Sequence, residues 1–212
     1  MKFKIFNIEE KYPFLVVDDW FTADEENSIW SELNFYLNQP NAVRAENTLS
    51  ATNPDGTKKS KSFRYYVDNY YAMPNISHIL RLREKFKNEN LLKEISKIKP
   101  YSRNYLTSNW FNSLVSYYEE KDHYDSHSDI TSWTCLIWMV KEPICFSGGD
   151  FYFTEINQGV KLKNNRALFF PSCYLHGVTP LSFKNKNDLG KGLGRYTITT
   201  FFDIDVNKGY QP

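Results

Sequence analysis

From Asn112 to Phe202 the sequence offers one strand-like segment after another and no helix between them. SLVSYY, WTCLIWMV, DFYF, GVKL, ALFFP, GVTPL and RYTITTFF are each short and rich in aromatic and β-branched residues. Turn-rich pieces, EEKD, FSGG, INQG, KNN and NKNDLGKGLG, separate them. Many short strands joined in this way bury their faces as a sandwich or a barrel.

Ahead of Asn112 the pattern differs. PFLVVDDW, from Pro13 to Trp20, reads as a strand. A helix is expected next, because Thr22 and Glu25 have the spacing of a capping box and Ile29, Leu33 and Phe35 to Leu37 follow at helical intervals. Residues 39–62 lack periodicity and carry Pro, Gly, Asn, Ser and three Lys, so they read as a long loop. Phe63 to Ala72 reads as a strand, and Pro74 to Ile98 as a helix with a break near Asn88, ended by Pro100. Helices first and strands after them predict an α+β chain: a double-stranded β-helix (jelly roll) with N-terminal helices packed on one sheet. A length of 212 residues suits one domain over 1–212, with helical support and a long loop in 1–110 and the jelly-roll core in 111–204.

Charge and cysteine content narrow the function. With 26 basic and 25 acidic residues there is no broad electrostatic footprint for nucleic acid. The cluster Lys58, Lys59 and Lys61 is the one local exception, and a nucleic-acid partner is not expected. Cys135, Cys145 and Cys173 form no CxxC and no even framework, which predicts a reducing, cytoplasmic setting. Lys2, Lys4, Glu9, Glu10 and Lys11 interrupt the N-terminus, and no stretch has the length of apolar sequence that a bilayer demands, so no membrane role is expected.

Three of the four histidines fall in the strand-rich half. HYDSHSD, His123 to Asp129, holds two overlapping HxD pairs, and after 46 intervening residues comes His176 in PSCYLHGVTP. In an extended segment residues i and i+2 point the same way, so an HxD pair aims an imidazole and a carboxylate at one ion. A third ligand from a distant strand completes the 2-His-1-carboxylate face of non-haem iron oxygenases. His123 and His127 also have the i, i+4 spacing of a helical zinc pair, but no Glu follows His123 and the flanking strands disfavour a helix. The spacing by itself does not choose between His123-Tyr124-Asp125 and His127-Ser128-Asp129.

The order of these elements resembles the 2-oxoglutarate/iron(II) oxygenases, in particular their prolyl hydroxylase branch. The shared elements are Tyr118, then nine residues later His127-Ser128-Asp129, then Thr134 to Trp138, Gly148-Gly149, Leu168-Phe169-Phe170, His176-Gly177 and Arg195 on the last strand. The opening PFLVVDDWFTADEE is similar to the start of that family more loosely. The resemblance implies an iron site of His127, Asp129 and His176, with Tyr124 three residues before the first ligand and His123 and Asp125 as polar flanks. It implies Fe(II), 2-oxoglutarate and O2 as cofactor and co-substrates, with ascorbate a candidate addition. Arg195 is then the fork for the distal carboxylate of 2-oxoglutarate, with Thr197 and Thr199 on the same strand face, a phenol donor in Tyr118 and an apolar wall in Leu136. No catalytic residue beyond the metal ligands is called for.

Two departures stand out. Trp138 occupies a place where the family often has Tyr, and an indole offers a single N–H donor. Between His176 and Arg195 lie 18 residues, more than is common in the family; the added FKNKNDLGKGLG is expected to be a surface hairpin that borders the substrate mouth. The activity implied is hydroxylation of an unactivated C–H, with succinate and CO2 as co-products. The branch points to a prolyl residue in a peptide or protein, with residues 39–62 as a lid. A free amino acid or another small metabolite is the competing substrate, and a non-catalytic jelly-roll binding module the competing class. The oligomeric state is left open by the sequence.

Overall fold

The structure, a computed structural model, describes residues 1–39, 42–48 and 50–208. The expected lid segment 39–62 and domain span 1–212 include residues 40, 41, 49 and 209–212, which lie outside the described residues. In chain order the first half holds β1 (Lys2–Phe6), β2 (Phe14–Asp18), α1 (Ala23–Leu37), β3 (Val43–Arg44), β4 (Ser60–Lys61) and β5 (Phe63–Tyr66). Short helices follow: α2 (Val67–Tyr70), α3 (His78–Arg81), α4 (Glu89–Ile95) and α5 (Ser102–Leu106). Then come β6 (Trp110–Tyr118), β7 (His123–His127), β8 (Trp133–Met139), β9 (Phe146–Ser147) and β10 (Phe151–Phe153). The chain closes with β11 (Gln158–Val160), β12 (Arg166–Pro171), β13 (His176–Val178), β14 (Ser182–Phe183) and β15 (Arg195–Asp203).

Two sheets organise these strands. The larger runs β1-β2-β12-β8-β15-β6-β5-β3, and the smaller β11-β10-β13-β7-β4. From β6 onward the chain passes back and forth between them, which is the jelly-roll winding expected above. The strands β6, β8, β12 and β15 form the middle of the large sheet, whereas β7, β10, β11 and β13 face them.

The large sheet is covered on both sides, and its period-2 alternation shows how. Trp133, Cys135, Ile137 and Met139 of β8 join Tyr196, Ile198 and Phe202 of β15 in a core with Ile29 and Leu33 of α1 and Leu91 and Ile95 of α4. Leu136 and Trp138 face the other way and pack with Phe151, Phe153, Leu168 and Phe170 between the sheets. A strand buried on both faces reads as a continuous apolar run, as WTCLIWM does. The Thr22–Glu25 capping box forms as expected at the start of α1.

Several expectations need correction. The strand expected over 63–72 ends at Tyr66, because Asp68 turns away to accept from Ser113 N (2.6 Å) and from Arg83. The helix expected over 74–98 is divided among Pro74–Ile76, α3, Leu82–Lys87 and α4. Ser77 caps α3 by accepting from Leu80 N (3.1 Å), and Asn88, in extended backbone, caps α4, so polar side chains reset the helix direction twice. Residues 39–62 are not featureless: β3 pairs with β5, β4 pairs with β7, and Thr52 bridges Lys58 in a hairpin. The segment 183–194 forms no hairpin of its own, since β14 pairs with β9 and a single 3-10 turn, Lys186–Asp188, follows. The short β1, whose Phe3 and Ile5 pack against the helical core, was not anticipated.

Candidate metal centre and carboxylate pocket

The facing pair β7 and β13 builds the centre. His127 and His176 are cross-strand partners, so both imidazoles leave the small sheet on the same side. Their ring centroids are 4.3 Å apart. Each Nδ1 lies within hydrogen-bond distance of a carbonyl two residues upstream: His127 with Asp125 O at 2.9 Å, His176 with Tyr174 O at 2.8 Å. Donation by Nδ1–H to those carbonyls leaves both Nε2 lone pairs pointing inward. Both Nε2 atoms lie 3.7 Å from a carboxylate oxygen of Asp129, one on each oxygen. The three donor atoms all fall within 4.8 Å of one another, a set that could hold one divalent ion.

Asp129 is itself held. Its N–H donates to Ser172 O (3.0 Å), and Thr134 Oγ1 donates to Asp129 Oδ2 (2.6 Å). Burial, with His176 adding to it, depresses the His127 imidazole to about 2, so that ring stays neutral and able to coordinate at physiological pH. Tyr124 stacks on the His127 ring at 3.4 Å. His123 and Asp125 are more exposed and fall outside the cluster, with His123 Nδ1 turned to Lys121 O (3.0 Å). Gly177 beside His176 is required by space, because a Cβ there would meet Tyr152 Oη at 2.6 Å.

The cavity over the triad continues along the inner face of the large sheet. Its walls include Tyr118, Leu136, Thr197 and Thr199, all named from the sequence, together with Leu114, Ser116, Phe151, Val178 and Phe201. Arg195 enters from β15 opposite Tyr118 and is 1% exposed. Its guanidinium lies over the rings of Tyr118 (5.1 Å) and Trp138 (5.6 Å). Nε, Nη1 and Nη2 of Arg195 are buried without a hydrogen-bond partner, and so are Trp138 Nε1 and Thr197 Oγ1 beside them. Burial lowers the guanidinium to about 10, still charged at neutral pH. Orphaned donors of this density in a native interior call for an acceptor that arrives from outside. A carboxylate fits that description, so the pocket sets a triad that could hold a metal beside an end that could take a carboxylate. Gly148 and Gly149 serve this end, both at positive φ: a Cβ on Gly148 would lie 2.0 Å from Pro180 O, and one on Gly149 would touch the stem of Arg195.

The single N–H donor noted for Trp138 lies beside Arg195 and has no partner. One residue of the pocket was missed from the sequence. Arg64, which no motif singles out, lines the same pocket. The signal for Arg64 was faint: an arginine in an aromatic strand, FRYY, whose pairing with Ser116 of β6 only the sheet reveals. Among the described residues none of 39–62 and none of 183–194 lines the cavity, so the expected contact of the added segment with the mouth is not seen. Within the basic cluster, Lys58 Nζ and Lys59 Nζ donate to backbone oxygens of Ser50 and Ser126, which leaves no open basic patch of those two side chains.

Comparison with known proteins adds three findings. Residues 113–203 match the model of the 2OG-Fe(II) oxygenase superfamily. No curated protein sequence matches the chain. Among solved structures, a Pseudomonas putida prolyl-4-hydroxylase is similar with a TM-score of 0.63 at 13% identity, over 94% of this chain and 97% of that one. A prolyl hydroxylase from Trichoplax adhaerens, in complex with a hypoxia inducible factor peptide fragment, gives 0.62 at 14% identity, over 90% and 83%. A viral collagen prolyl hydroxylase from Paramecium Bursaria Chlorella virus-1, in its 2OG complex, gives 0.55 at 14% identity, over 92% and 97%. At such identities the likeness speaks for the fold.

Proposed function

We propose that this chain, whose residues 113–203 match the 2OG-Fe(II) oxygenase superfamily and whose fold is prolyl-hydroxylase-like, is a dioxygenase that takes Fe(II), 2-oxoglutarate and O2 and hydroxylates a prolyl residue in a peptide or protein. The observation that supports the prolyl reading is the degree of likeness to two prolyl hydroxylases, with TM-scores of 0.62 and 0.63 over nine-tenths or more of this chain, against 0.56 for an alpha ketoglutarate dependent epimerase. Three free cysteines accord with a cytoplasmic setting.

The proposed roles follow from the chemistry of the donors. His127, Asp129 and His176 would hold Fe(II). When bound, iron with 2-oxoglutarate and O2 supplies the oxidising power for an unactivated C–H, and succinate and CO2 leave. Arg195 takes the distal carboxylate of 2-oxoglutarate, with Trp138 Nε1–H and the Thr197 hydroxyl as further donors. The Tyr118 phenol and Thr199 line that end, and Leu114, Leu136, Phe151, Val178 and Phe201 keep it dry. No side chain is assigned as acid or base.

In the same reading the hairpin around the Thr52–Lys58 bridge is the lid. Its flanks are anchored: Arg44 forks onto Asp122, Ala45 N donates to Ser62 O, and Lys59 Nζ donates to Ser126 O (2.6 Å), next to His127. The lid therefore narrows to residues 51–58. The deciding experiment offers the iron-loaded protein 2-oxoglutarate with proline-containing peptides or with free L-proline. Succinate release and gain of one oxygen by the peptide are expected. Replacing 51–58 by a short Gly-Ser link is expected to suppress this coupled turnover while slow uncoupled decay of 2-oxoglutarate persists. Hydroxylation of free proline alone overturns the peptidyl reading in favour of the small-molecule one.

A further inference from the structure

Arg64 is a second buried arginine in the pocket, and 2-oxoglutarate does not account for it. It is 7% exposed; its Nε is buried with no partner, Nη2 donates to Ser60 Oγ (3.0 Å), and its other side-chain partners are the neutral phenols of Tyr124 and Tyr66. Arg44, Arg83 and Arg166 each fork onto an aspartate, whereas no carboxylate pairs with Arg64 among the described residues. A desolvated guanidinium without a counter-charge is costly, so a native protein keeps one where a ligand completes it.

Position and charge both point to the prime substrate. The Arg64 guanidinium lies 5.2 Å from the centroid of the Tyr124 ring, and that ring stacks on His127. A group held by Arg64 is thus one aromatic ring removed from the metal centre, where the reacting C–H must be presented. Arg64 stands on β5, two strands from Arg195 on β15 in the same sheet, so the two cations line separate stretches of one cavity wall. Among the lining residues Asp129 is the one carboxylate against two arginines. A divalent ion and the doubly negative co-substrate cancel one another, which leaves one positive charge unbalanced.

Resting on the oxygenase reading of this pocket, we propose that Arg64 binds a carboxylate of the prime substrate. The substrate is then a prolyl group with a free α-carboxylate, or one beside an acidic side chain. A bidentate guanidinium–carboxylate pair would orient the ring over the metal as well as bind it.

The test compares wild type with Arg64→Met and Arg64→Lys, each loaded with Fe(II) and 2-oxoglutarate. The probes are L-proline, acetyl-Ala-Pro-Asp-amide and acetyl-Ala-Pro-Asn-amide. Wild type is expected to favour L-proline or the Asp peptide over the Asn peptide, and which of the two identifies the source of the carboxylate. Arg64→Met should raise KM for the favoured probe at least tenfold and abolish the preference, with partial rescue in Arg64→Lys. Iron content and the 2-oxoglutarate KM of uncoupled decay should stay unchanged, which also reports folding. A raised 2-oxoglutarate KM instead assigns Arg64 to the co-substrate, and lost iron reduces it to a support for Tyr124; either overturns the proposal, as does an unaltered preference. Anaerobic calorimetry with acetate reads the same assignment without turnover. Binding to wild type but not to Arg64→Met is expected, and equal binding, or none to either, overturns it. If no prolyl probe turns over but acetate binding depends on Arg64, the prolyl reading fails and the carboxylate assignment stands.

Discussion

The two faces of the large sheet treat buried polar groups in opposite ways. On the helix-covered face the buried carboxylates are paired, with Tyr70 Oη an exception among the hydroxyls. Glu32, 6% exposed, accepts from Tyr36 Oη (2.5 Å), Ser77 Oγ (2.7 Å) and Ile79 N (3.0 Å), which ties α1 to α3. Asp68, Arg83 and Ser113 close a second network behind β6. On the opposite face Arg195, Trp138, Thr197 and the Nε of Arg64 lie buried with donors unspent. Both faces belong to the same strands and differ only in the parity of the residue. The satisfied side holds the fold together, whereas the unsatisfied side is built for something the chain does not itself supply.

The largest expected effect falls on the metal triad. His176→Ala should lose bound iron and all measurable turnover, because one of three protein ligands goes and no neighbour replaces it. His123→Ala, outside the cluster, should keep both. Metal analysis of the two variants settles which HxD pair is used, and full iron in His176→Ala would sink the assignment.

Next comes a direct contrast between the faces. Arg195→Met should raise the 2-oxoglutarate requirement by roughly 30- to 4000-fold, the equivalent of about 2–5 kcal/mol for truncating one partner of a buried charge pair. The ligand-free variant should lose no stability in thermal melts, since an uncompensated buried charge has been removed. Glu32→Leu should do the reverse. It strands the donors of Tyr36, Ser77 and Ile79, so a loss of about 3 kcal/mol is expected. That corresponds to roughly 6–12 °C in Tm for a domain of this size. The 2-oxoglutarate KM should not move. If Arg195→Met melts early or Glu32→Leu shifts the KM, the division between faces is wrong.

The smallest effect is predicted for Trp138→Phe. It keeps the ring under Arg195 and removes one N–H, so about a tenfold rise in the 2-oxoglutarate KM is expected, near 1.4 kcal/mol for one hydrogen bond to a charged acceptor. An unchanged KM would mean that the indole serves only as a wall.

Much of the centre was legible because its signals are local. His127 and Asp129 lie two residues apart on a strand end, and Arg195, Thr197 and Thr199 share one face of RYTITTFF by simple alternation. The Thr22–Glu25 cap is equally local and formed as read. What failed depended on distant partners. KFKIF alternates like a strand, but only its pairing with β2 makes it one. Asp68 ends the strand after Tyr66 through contacts with Ser113 and Arg83, remote in sequence.

By itself the sequence determined the alternation of its strands, the jelly-roll winding this permits, and a candidate ligand set with an arginine on the last strand. Those properties reside in residue type and spacing over a few positions, and the pleat reproduces them wherever the strand is placed. Only the tertiary structure decided that His127 and His176 are cross-strand partners and that Trp138 stands as a free donor beside Arg195. The same holds for Arg64, which the pairing of β5 with β6 brings into the pocket. Whether a buried polar group is satisfied depends on which strands end up side by side, and that is a property of long-range pairing that no local spacing carries.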